Sequence, residues 1–296
     1  MENKNNILIS IIIPTYNRAA ILEKNLQSFI DQDFEKGNFE LIVIDDGSTD
    51  QTKKAVRELI DQNSEKNIYY YYQKNTGPAV ARNLGISKAK GKIVAFSDDD
   101  CVADRHWLKE IELSFKDEIV GVSGKIVALK DKATAFTHQI DSDEPNAFPA
   151  GNVGYLKDAL EKVDGFDKNL RFTNEDNELA TAIGKIGTLS HNSKMIVYDP
   201  PKKMGIRDIK GVIYLESVFL IVHKHPEIYK GFRHNPWLDI YWKWFIKLFI
   251  IQSIKGLKFF WKNPFDYLKL LILLIAQRIY LIILIPYFLK ISRRCR

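Results

Sequence analysis

Two short apolar runs in this chain each end in a cluster of aspartates. The run Ile93–Phe96 is followed, after one residue, by the triplet Asp98–Asp100. The run Leu41–Ile44 is followed directly by the pair Asp45–Asp46. A buried strand that ends in adjacent carboxylates places like charges side by side, which costs free energy unless a cation lies among them. Two such strands at one edge of a sheet would form a site for a divalent metal ion and a phosphorylated ligand.

The first two hundred residues alternate between strand and helix patterns. Apolar residues recur at helical spacing between the predicted strands, which are residues 7–13, 39–44, 68–72, 93–96 and approximately 119–129. Pro14 is expected to stop the first strand, and Ser48 and Thr49 are expected to cap the helix after the second. The alternation favours an α/β fold with a mostly parallel sheet covered by helices on both faces. Ligands of such sheets bind at the carboxyl ends of the strands, where the aspartates lie.

The loop after the first predicted strand contains no glycine. A dinucleotide-binding fold needs a glycine-rich turn there, because the backbone must approach a pyrophosphate closely. This chain has Pro14-Thr15-Tyr16-Asn17-Arg18 instead, which argues against an NAD site of that type. A sugar-nucleotide pyrophosphorylase would carry a glycine- and basic-rich loop at the same place, and that loop is missing too.

Six short motifs follow one another in an order that is typical of one enzyme family. They are Pro14-Thr15-Tyr16-Asn17, Asp45-Asp46-Gly47-Ser48-Thr49-Asp50, Asn75-Thr76-Gly77 with Ala81-Arg82-Asn83, Asp98-Asp99-Asp100, Gly165-Phe166-Asp167 and Glu175-Asp176. Each motif alone is weakly specific, but six in this order resemble the family 2 glycosyltransferases of the GT-A fold. The resemblance covers roughly residues 7–200, about two thirds of the chain. It implies inverting transfer of a sugar from a nucleotide-diphosphate donor, with UDP as the default nucleotide.

The resemblance implies a group of residues that bind the donor. The nucleobase and ribose would be held by Pro14, Thr15, Tyr16 and one of Asp45 or Asp46. Arg82 would lie over the base or the diphosphate. Asp99 and Glu175 are assigned to the same substrate site. Asn152 either contacts the donor sugar or shapes a turn.

The resemblance also implies a metal site and a catalytic base. Asp98 and Asp100 would be the two aspartates of the family's D-x-D motif, with Asp100 on the metal ion and Asp98 nearer the ribose and metal. Mn²⁺ or Mg²⁺ held by these carboxylates would neutralise the departing nucleoside diphosphate. Asp176 would be the base that takes the proton of the acceptor hydroxyl on the opposite face of the sugar. Glu175 beside it is expected to raise its pKa.

Two departures from the family pattern bear on the substrates. Ala182 stands where the family often places a basic residue, so a phosphate or acceptor contact at that position is left open. No Gln-x-x-Arg-Trp motif follows Asp176, although processive polymerising members usually carry one, and we therefore expect transfer of a single sugar. His191 is a candidate for a further metal or phosphate contact, and Cys101 is expected to pack in the core.

The basic residues of the chain, whose formal net charge is +6, are concentrated towards the carboxyl terminus. Two cysteines, Cys101 and Cys295, provide neither a disulfide framework nor metal-ligand spacing, which indicates a reducing compartment. The apolar run at residues 7–13 is too short for a secretory signal, so the amino-terminal part is expected to stay in the cytoplasm. We divide the chain into a catalytic domain (residues 1–201), a connecting segment (202–236) and a tail (237–296).

The tail has the pattern of membrane-associated helices. Its lysines up to Lys262 fall within one helical face with aromatic and aliphatic residues mostly opposite, as in a helix that lies in a membrane interface. Leu270–Leu289 is long enough to span a bilayer, which needs about 20 helical residues, although Arg278 near its centre would cost on the order of 3 kcal/mol. A single crossing would place Arg293 and Arg294 outside, against the positive-inside tendency. A hairpin, a re-entrant pair or two interfacial helices would keep both ends at the cytoplasmic face.

These patterns favour a metal-dependent inverting glycosyltransferase that moves one sugar to a lipid-linked or envelope-polysaccharide acceptor at the membrane surface. A metal-dependent nucleotidyl or phosphoryl transferase on a similar sheet is one alternative. A non-catalytic, membrane-bound partner of another glycosyltransferase is a second. The tail has its own alternative, a basic amphipathic oligomerisation domain. Nucleic acid is a poor fit for the basic residues, because the lysines are interleaved with bulky aliphatic residues.

Overall fold

The structure is a computed structural model that describes most of the chain. The described residues are 7–35, 37–116, 118–131, 133–170, 173–204, 217, 220–221, 224–225, 246–287 and 290. The chain divides into two compact units, of which the first comprises Met1–Ala128 and Ile140–Pro200. The second comprises Leu129–Gln139 and Pro201–Arg296. The eleven residues 129–139, which the sequence pattern groups with the catalytic domain, therefore belong with the carboxyl-terminal unit.

The first unit alternates strands and helices, as its hydrophobic pattern predicts. Its strands are β1 (Ile9–Thr15), β2 (Phe39–Asp45), β3 (Ile68–Tyr72), β4 (Ile93–Ser97), β5 (Val102–Ala103), β6 (Ile119–Ala128), β8 (Asn152–Leu156) and β9 (Thr188–Asp199). Its helices are α1 (Ala19–Ile30), α2 (Thr52–Gln62), α3 (Pro78–Lys88), α4 (Trp107–Ser114), α5 (Lys157–Lys162) and α6 (Glu175–Gly184).

The eight strands form one sheet in the order β3-β2-β1-β4-β8-β6-β9-β5. Strands β3, β2, β1 and β4 pair in parallel, and β6 pairs in parallel with β9. Strand β8 is antiparallel to both of its neighbours, and β5 is antiparallel to β9. The prediction of a mostly parallel α/β sheet is confirmed. The carboxyl ends of β2, β1 and β4 lie side by side, because consecutive parallel strands run in the same direction.

Both faces of this sheet are buried under helices. Along β1, Ile9, Ile11 and Ile13 pack on one face in a cluster with α1, α2 and α4. Ile12 packs on the other face in a cluster with α3, α5 and α6. Each buried isoleucine contributes about 1.5–3 kcal/mol relative to an exposed one. Successive side chains of β1 point to opposite faces of the sheet. Because both faces carry buried isoleucines, the strand is buried between two layers of helices.

Two local predictions are wrong, one at the end of β1 and one at the start of α2. Strand β1 continues through Pro14 to Thr15, because pairing with β4 ends at Ile12. The Thr15 carbonyl accepts from Asp46 N on the β2 side, so Pro14, with no N–H to donate, faces the side where β4 has already ended. Ser48 and Thr49 do not cap α2. The Asp50 carboxylate instead accepts from the first backbone N–H of that helix, 3.0 Å away.

Within its described residues, the second unit shows a short antiparallel pair and two helices with defined bounds. Strand β7 (Thr137–His138) pairs with β10 (Lys202–Lys203). The helices are α7 (Leu248–Leu257) and α8 (Pro264–Ile283). Asn263 caps α8 by accepting from Asp266 N at 3.2 Å, and proline at the first helical position fits the same start. Ala135, Leu270 and Leu274 form the centre of this unit's core.

Among the described helices, none is both long enough and apolar enough to cross a membrane. Helix α8 includes the first part of the apolar run Leu270–Leu289. Several sequence predictions fall outside the described residues. They are most of the connecting segment, the start of the basic amphipathic pattern at 237–245, and the arginines near the carboxyl terminus.

Candidate active site

The aspartate triplet follows β4 directly. The Ser97 hydroxyl, at the end of that strand, donates to the carbonyl of Gly151 at 2.8 Å and ties β4 to the turn before β8. Asp98, Asp100 and Cys101 each present one ligand atom, and these atoms lie within 4.8 Å of one another. Cys101 is buried in the core, as predicted, but its sulfur also reaches the two carboxylates. Carboxylate oxygens with a thiol can bind a divalent cation.

Arg82 connects this cluster to the start of α6. Its guanidinium donates to Glu175 Oε1 at 2.8 Å and to Asp98 Oδ1 at 3.1 Å, although the two acceptors are far apart in sequence. The same group lies over the Phe166 ring, 5.5 Å from the centroid. Only 6% of the Arg82 side chain is exposed. Burial by itself would lower the Arg82 pKa, but Asp98 and Glu175 outweigh it and raise the pKa, so the group stays charged.

Helix α3 can bring Arg82 to this position because it packs closely on the sheet. Gly85 faces β1 one turn further along the helix, and a Cβ on that residue would lie 2.5 Å from Ile12 Cγ2. The helix begins after Gly77, whose φ of +100° is easily adopted only by glycine. The backbone N–H of Gly77 donates to Asp46 Oδ2 at 2.9 Å. This hydrogen bond anchors the start of α3 at the carboxyl edge of the sheet.

Asp176 lies in the first turn of α6, beside the same cluster. It is half-buried, and its carboxylate accepts from Asn177 N at 2.8 Å and from Ala150 N at 3.4 Å. Burial raises its pKa, with a contribution from the charge of Asp98, against the lowering effects of the two N–H groups and Arg82. Glu175 was expected to cause this increase in the Asp176 pKa, whereas burial is the main cause. A half-buried carboxylate with a raised pKa, close to a second carboxylate cluster, can accept a proton.

Arg18 is a further cation of the site that was not among the predicted site residues. Its Nε lies 3.6 Å from Asp99 Oδ1, and a terminal nitrogen lies 3.4 Å from Asp100 Oδ2. Its side chain is 40% exposed. Burial raises the pKa of Asp99 to about 7, and the charges of Asp100 and Asp98 add to this, while Arg18 and the Thr15 hydroxyl lower it. The detectable signal was a basic residue just after β1, whose end adjoins that of β4.

Asp45 and Asp46 hold loops at the carboxyl edge of the sheet. Asp45 accepts from Ser48 N at 2.7 Å and from the Tyr70 hydroxyl at 2.6 Å. Asp46 accepts from Gln73, from Thr76 N and from Gly77 N. Both are nearly fully buried. The two carboxylates therefore shape the loops after β2 and β3, and the nucleobase contact assigned to one of them remains a prediction.

The remaining predicted donor residues are placed differently from one another. Pro14 and Thr15 end β1 at this edge, and Tyr16 follows with 39% of its surface exposed. Asn152 is fully buried, and its amide bonds to the Trp107 indole and to the carbonyls of Lys125 and Met195. Because both polar atoms of the buried Asn152 side chain already form these hydrogen bonds, the side chain cannot contact the donor sugar directly. Of the two alternatives for Asn152, the structural one fits.

Both ring nitrogens of His191 are already engaged by other side chains. One ring nitrogen bonds to Ser123 Oγ at 2.9 Å and the other to Asp143 Oδ1 at 2.8 Å. His191 and Lys125 lower the pKa of Asp143 to about 2. The metal or phosphate contact considered for His191 is therefore not supported by its surroundings in this structure.

Comparisons with known proteins agree on one family. The sequence model described as "Glycosyl transferase family 2" matches residues 10–177. A relative from Campylobacter jejuni, named GalNAc(5)-diNAcBac-PP-undecaprenol beta-1,3-glucosyltransferase, is 42% identical over 94 residues, which is 31% of this chain and 29% of that protein. In a relative from Rickettsia bellii the match spans 15% of that protein's own length, and in one from Nostoc sp. it spans 52%.

Solved structures share the GT-A type of fold. The mannosyltransferase PcManGT from Pyrobaculum calidifontis, in complex with GDP-Man and Mn²⁺, superimposes with a TM-score of 0.62 at 20% identity, covering 92% of this chain and 86% of that one. S. aureus TarS 1-349 in complex with UDP-GlcNAc gives a TM-score of 0.59 at 22% identity, covering 73% and 66%. At this level of identity the likeness establishes the fold, which is the GT-A arrangement predicted from the sequence.

Proposed function

Because the chain belongs to glycosyl transferase family 2, we propose that it moves a single sugar, with inversion, from a nucleotide-diphosphate sugar to a lipid-linked or envelope-polysaccharide acceptor. One observation carries this proposal. Arg82 joins Asp98, in the carboxylate cluster, to Glu175, the neighbour of Asp176. A group that can hold a metal-bound diphosphate and a group that can accept a proton are thereby fixed beside each other, as a sugar transfer requires.

The donor atoms of the cluster fit a divalent metal ion. Asp98 and Asp100 would hold Mn²⁺ or Mg²⁺ through carboxylate oxygens, the ligands that both ions accept. The Cys101 sulfur is a softer ligand, which favours Mn²⁺ over Mg²⁺ at the same place. The bound ion would supply positive charge to the leaving diphosphate. Arg18, on Asp99 and Asp100, adds a second cation that can bind a phosphate oxygen.

Asp176 is the proposed general base. The acceptor hydroxyl attacks the anomeric carbon, its proton passes to an Asp176 carboxylate oxygen, and the bond from that carbon to the diphosphate oxygen breaks. Because attack and departure take place on opposite faces of the sugar, the configuration inverts. The raised pKa of Asp176 makes it a stronger base than an exposed aspartate. Glu175 would act indirectly, by orienting Arg82.

The donor and acceptor are proposed from the relatives. UDP-GlcNAc and GDP-Man occur in complexes of two proteins with this fold, and UDP is our default nucleotide. The name of the Campylobacter jejuni relative places its acceptor on a diphosphate-linked undecaprenol, which supports a lipid-linked acceptor here. The family match favours sugar transfer over nucleotidyl or phosphoryl transfer. The retained carboxylates of the site speak against a non-catalytic partner protein, since burying them without a use is costly.

A location at the cytoplasmic face of a membrane is part of the proposal. Helix α8 exposes a row of apolar side chains at helical spacing, each between 51% and 75% accessible: Phe265, Leu268, Ile272, Ile275, Ile279, Ile282 and Ile283. On α7, Ile250, Ile254 and Leu257 are about half exposed or more. An exposed apolar surface of this extent is typical of a membrane or protein contact. Flanking lysines would favour anionic headgroups.

The test is a panel of nucleotide sugars with the purified chain in mild detergent. Release of nucleoside diphosphate is followed with Mn²⁺, with Mg²⁺ and with EDTA. We expect metal-dependent turnover of one donor, lost in both Asp100→Ala and Asp176→Ala. Release of pyrophosphate in place of nucleoside diphosphate would instead identify a nucleotidyl transferase. Absence of both donor binding and turnover in folded protein would reject the proposal.

A further inference from the structure

The second unit contains a groove with one apolar end and one basic end. The end called apolar here is a cavity of about 440 Å³ with Leu270, Leu273 and Leu274 of α8 on one wall, and Gln252, Lys255 and Gln277 are also among its lining residues. The basic end is a cavity of about 600 Å³ that carries Lys130, Lys258 and Lys262. Residues Thr134, Gln139, Lys258 and Phe259, among others, line both cavities, so the two adjoin each other. Each volume is within the range of small-molecule sites, roughly 300–1,000 Å³.

We propose that this groove binds the lipid phosphate of the acceptor, with a single apolar chain in the apolar end and the phosphate among the lysines. The inference rests on the proposed function, because it takes the acceptor to be lipid-linked. It goes beyond that function by assigning a binding site in the second unit, outside the candidate active site.

The apolar end suits one lipid chain. The three leucines of its wall are at most 6% exposed. Gly256 on α7 lets the two helices approach closely, since a Cβ there would lie 2.4 Å from Leu270 Cδ2. The tight helix contact confines the apolar cavity. Each methylene that leaves water for such a wall contributes about 0.8 kcal/mol.

The basic end suits a phosphate. Lys258 and Lys262 are exposed, and neither forms a salt bridge with any residue that the structure describes. Lys258 Nζ lies 4.8 Å from the centre of the Phe259 ring, which holds the ammonium group at the junction of the two cavities. Among the residues that the structure describes, Asp131 is the acidic residue of this end, against the two unpaired lysines Lys258 and Lys262. The excess positive charge would attract an anion bearing one or two negative charges.

A buried polar atom lies at the junction itself. Gln139 lines both cavities, and its Oε1 is buried without a hydrogen-bond partner among the described residues. Leaving a buried amide oxygen without a partner costs about 1–3 kcal/mol. A protonated phosphate oxygen or an ordered water at the headgroup would satisfy it. The Gln139 amide can therefore recognise the point where a polar headgroup meets its apolar chain.

The test uses farnesyl phosphate as a single-chain lipid phosphate and the full chain in non-ionic detergent, with calorimetric titration. We expect saturable binding, weakened at least tenfold in Lys258→Glu/Lys262→Glu and unchanged in Lys269→Glu. Lys269 is a matched control, since it is exposed on α8, pairs with Asp266 and does not line the groove. Farnesol, which lacks the phosphate, should bind at least tenfold more weakly. Leu273→Trp should weaken both ligands by filling the apolar end.

Three outcomes would overturn the inference. They are unchanged binding in the double lysine variant, an equal loss in Lys269→Glu, and equal competition by phosphatidylglycerol vesicles, which would identify bulk anionic lipid as the occupant. Donor turnover is measured on the same samples. Turnover without farnesyl phosphate binding rejects the groove and leaves the proposed function in place. Farnesyl phosphate binding at the groove without turnover of any donor supports the groove as a lipid-phosphate site and rejects the proposed function.

Discussion

Replacing Arg82 with methionine should destabilise the protein more than any other single change of a charged residue at the site. The substitution keeps much of the side-chain volume but removes two charge-assisted hydrogen bonds, at 2.8 Å to Glu175 and 3.1 Å to Asp98. Each such bond is worth about 1.5–3 kcal/mol. The bond to Asp98 is discounted for solvent screening, because that carboxylate is 34% exposed. We therefore expect a loss of about 3 kcal/mol at pH 7.5, mostly from Glu175 left buried without its partner.

The loss should depend on pH with a definite sign. Burial already raises the Glu175 pKa above its ordinary value of 4.5, and Arg82 opposes this increase. Without Arg82 the folded-state pKa rises further, so a proton is bound more tightly in the folded than in the unfolded protein. The loss of stability is then absent at pH values below the Glu175 pKa of the unfolded protein. It grows as the pH rises from that value through the Glu175 pKa of the folded protein. The variant should therefore lose less stability at pH 5 than at pH 7.5.

The assay is urea unfolding followed by circular dichroism at both pH values, with Arg105→Met as the matched control. Arg105 is exposed, and its substitution should change stability by less than about 0.5 kcal/mol. Adding Glu175→Gln to Arg82→Met should restore part of the loss, because a neutral amide needs no cation. An Arg82→Met variant as stable as the control, or an equal loss at both pH values, would refute this account of the ion pairs.

Three further predictions concern the reaction and the tail. Asp176→Asn should lower kcat by about 10²–10⁴-fold with donor affinity retained. In the wild type, kcat/KM should rise with pH through a midpoint above the ordinary aspartate pKa of 3.8, because burial raises the Asp176 pKa. A pH profile without such a rise would argue against Asp176 as the base. EDTA should abolish turnover, and Cys101→Ser should lower the ratio of Mn²⁺-supported to Mg²⁺-supported activity, which an unchanged ratio would contradict. Ile272→Asp/Ile279→Asp, on the exposed face of α8, should move the protein from membrane to soluble fractions with nucleotide-sugar binding intact. Continued membrane recovery would exclude this face as the contact.

Local patterns were sufficient to predict the sheet and the positions of its carboxylates. Apolar runs and apolar residues at helical spacing reflect the periodic burial of strands and helices, and this periodicity can be read from the order of residues alone. The apolar runs before Asp45 and Asp98 become β2 and β4, the parallel strands on either side of β1. Pro14 was misjudged because its effect depends on whether a neighbouring strand continues beside it, and only the sheet register decides that.

The side-chain partners of the site depended on the tertiary structure. Arg82 is a buried bridge only because Gly85 lets α3 pack closely on β1 and because α6 begins at the same edge. Asn152 was expected near the donor or in a turn, and the packing of Trp107 against β8 gives it an internal role. No local pattern encodes such pairs, since their members are separated by 16 residues for Arg82 and Asp98, 45 for Trp107 and Asn152, and 93 for Arg82 and Glu175.

The sequence by itself determined the fold class, the order of the motifs and the carboxylates available for chemistry, because each follows from residue type and short-range spacing. Only the tertiary structure decided which charges meet: Arg18 on Asp99 and Asp100, and Arg82 between Asp98 and Glu175. It likewise placed residues 129–139 with the carboxyl-terminal unit. The physical reason is that charge pairing and desolvation depend on distances of a few ångströms between groups that are remote along the chain.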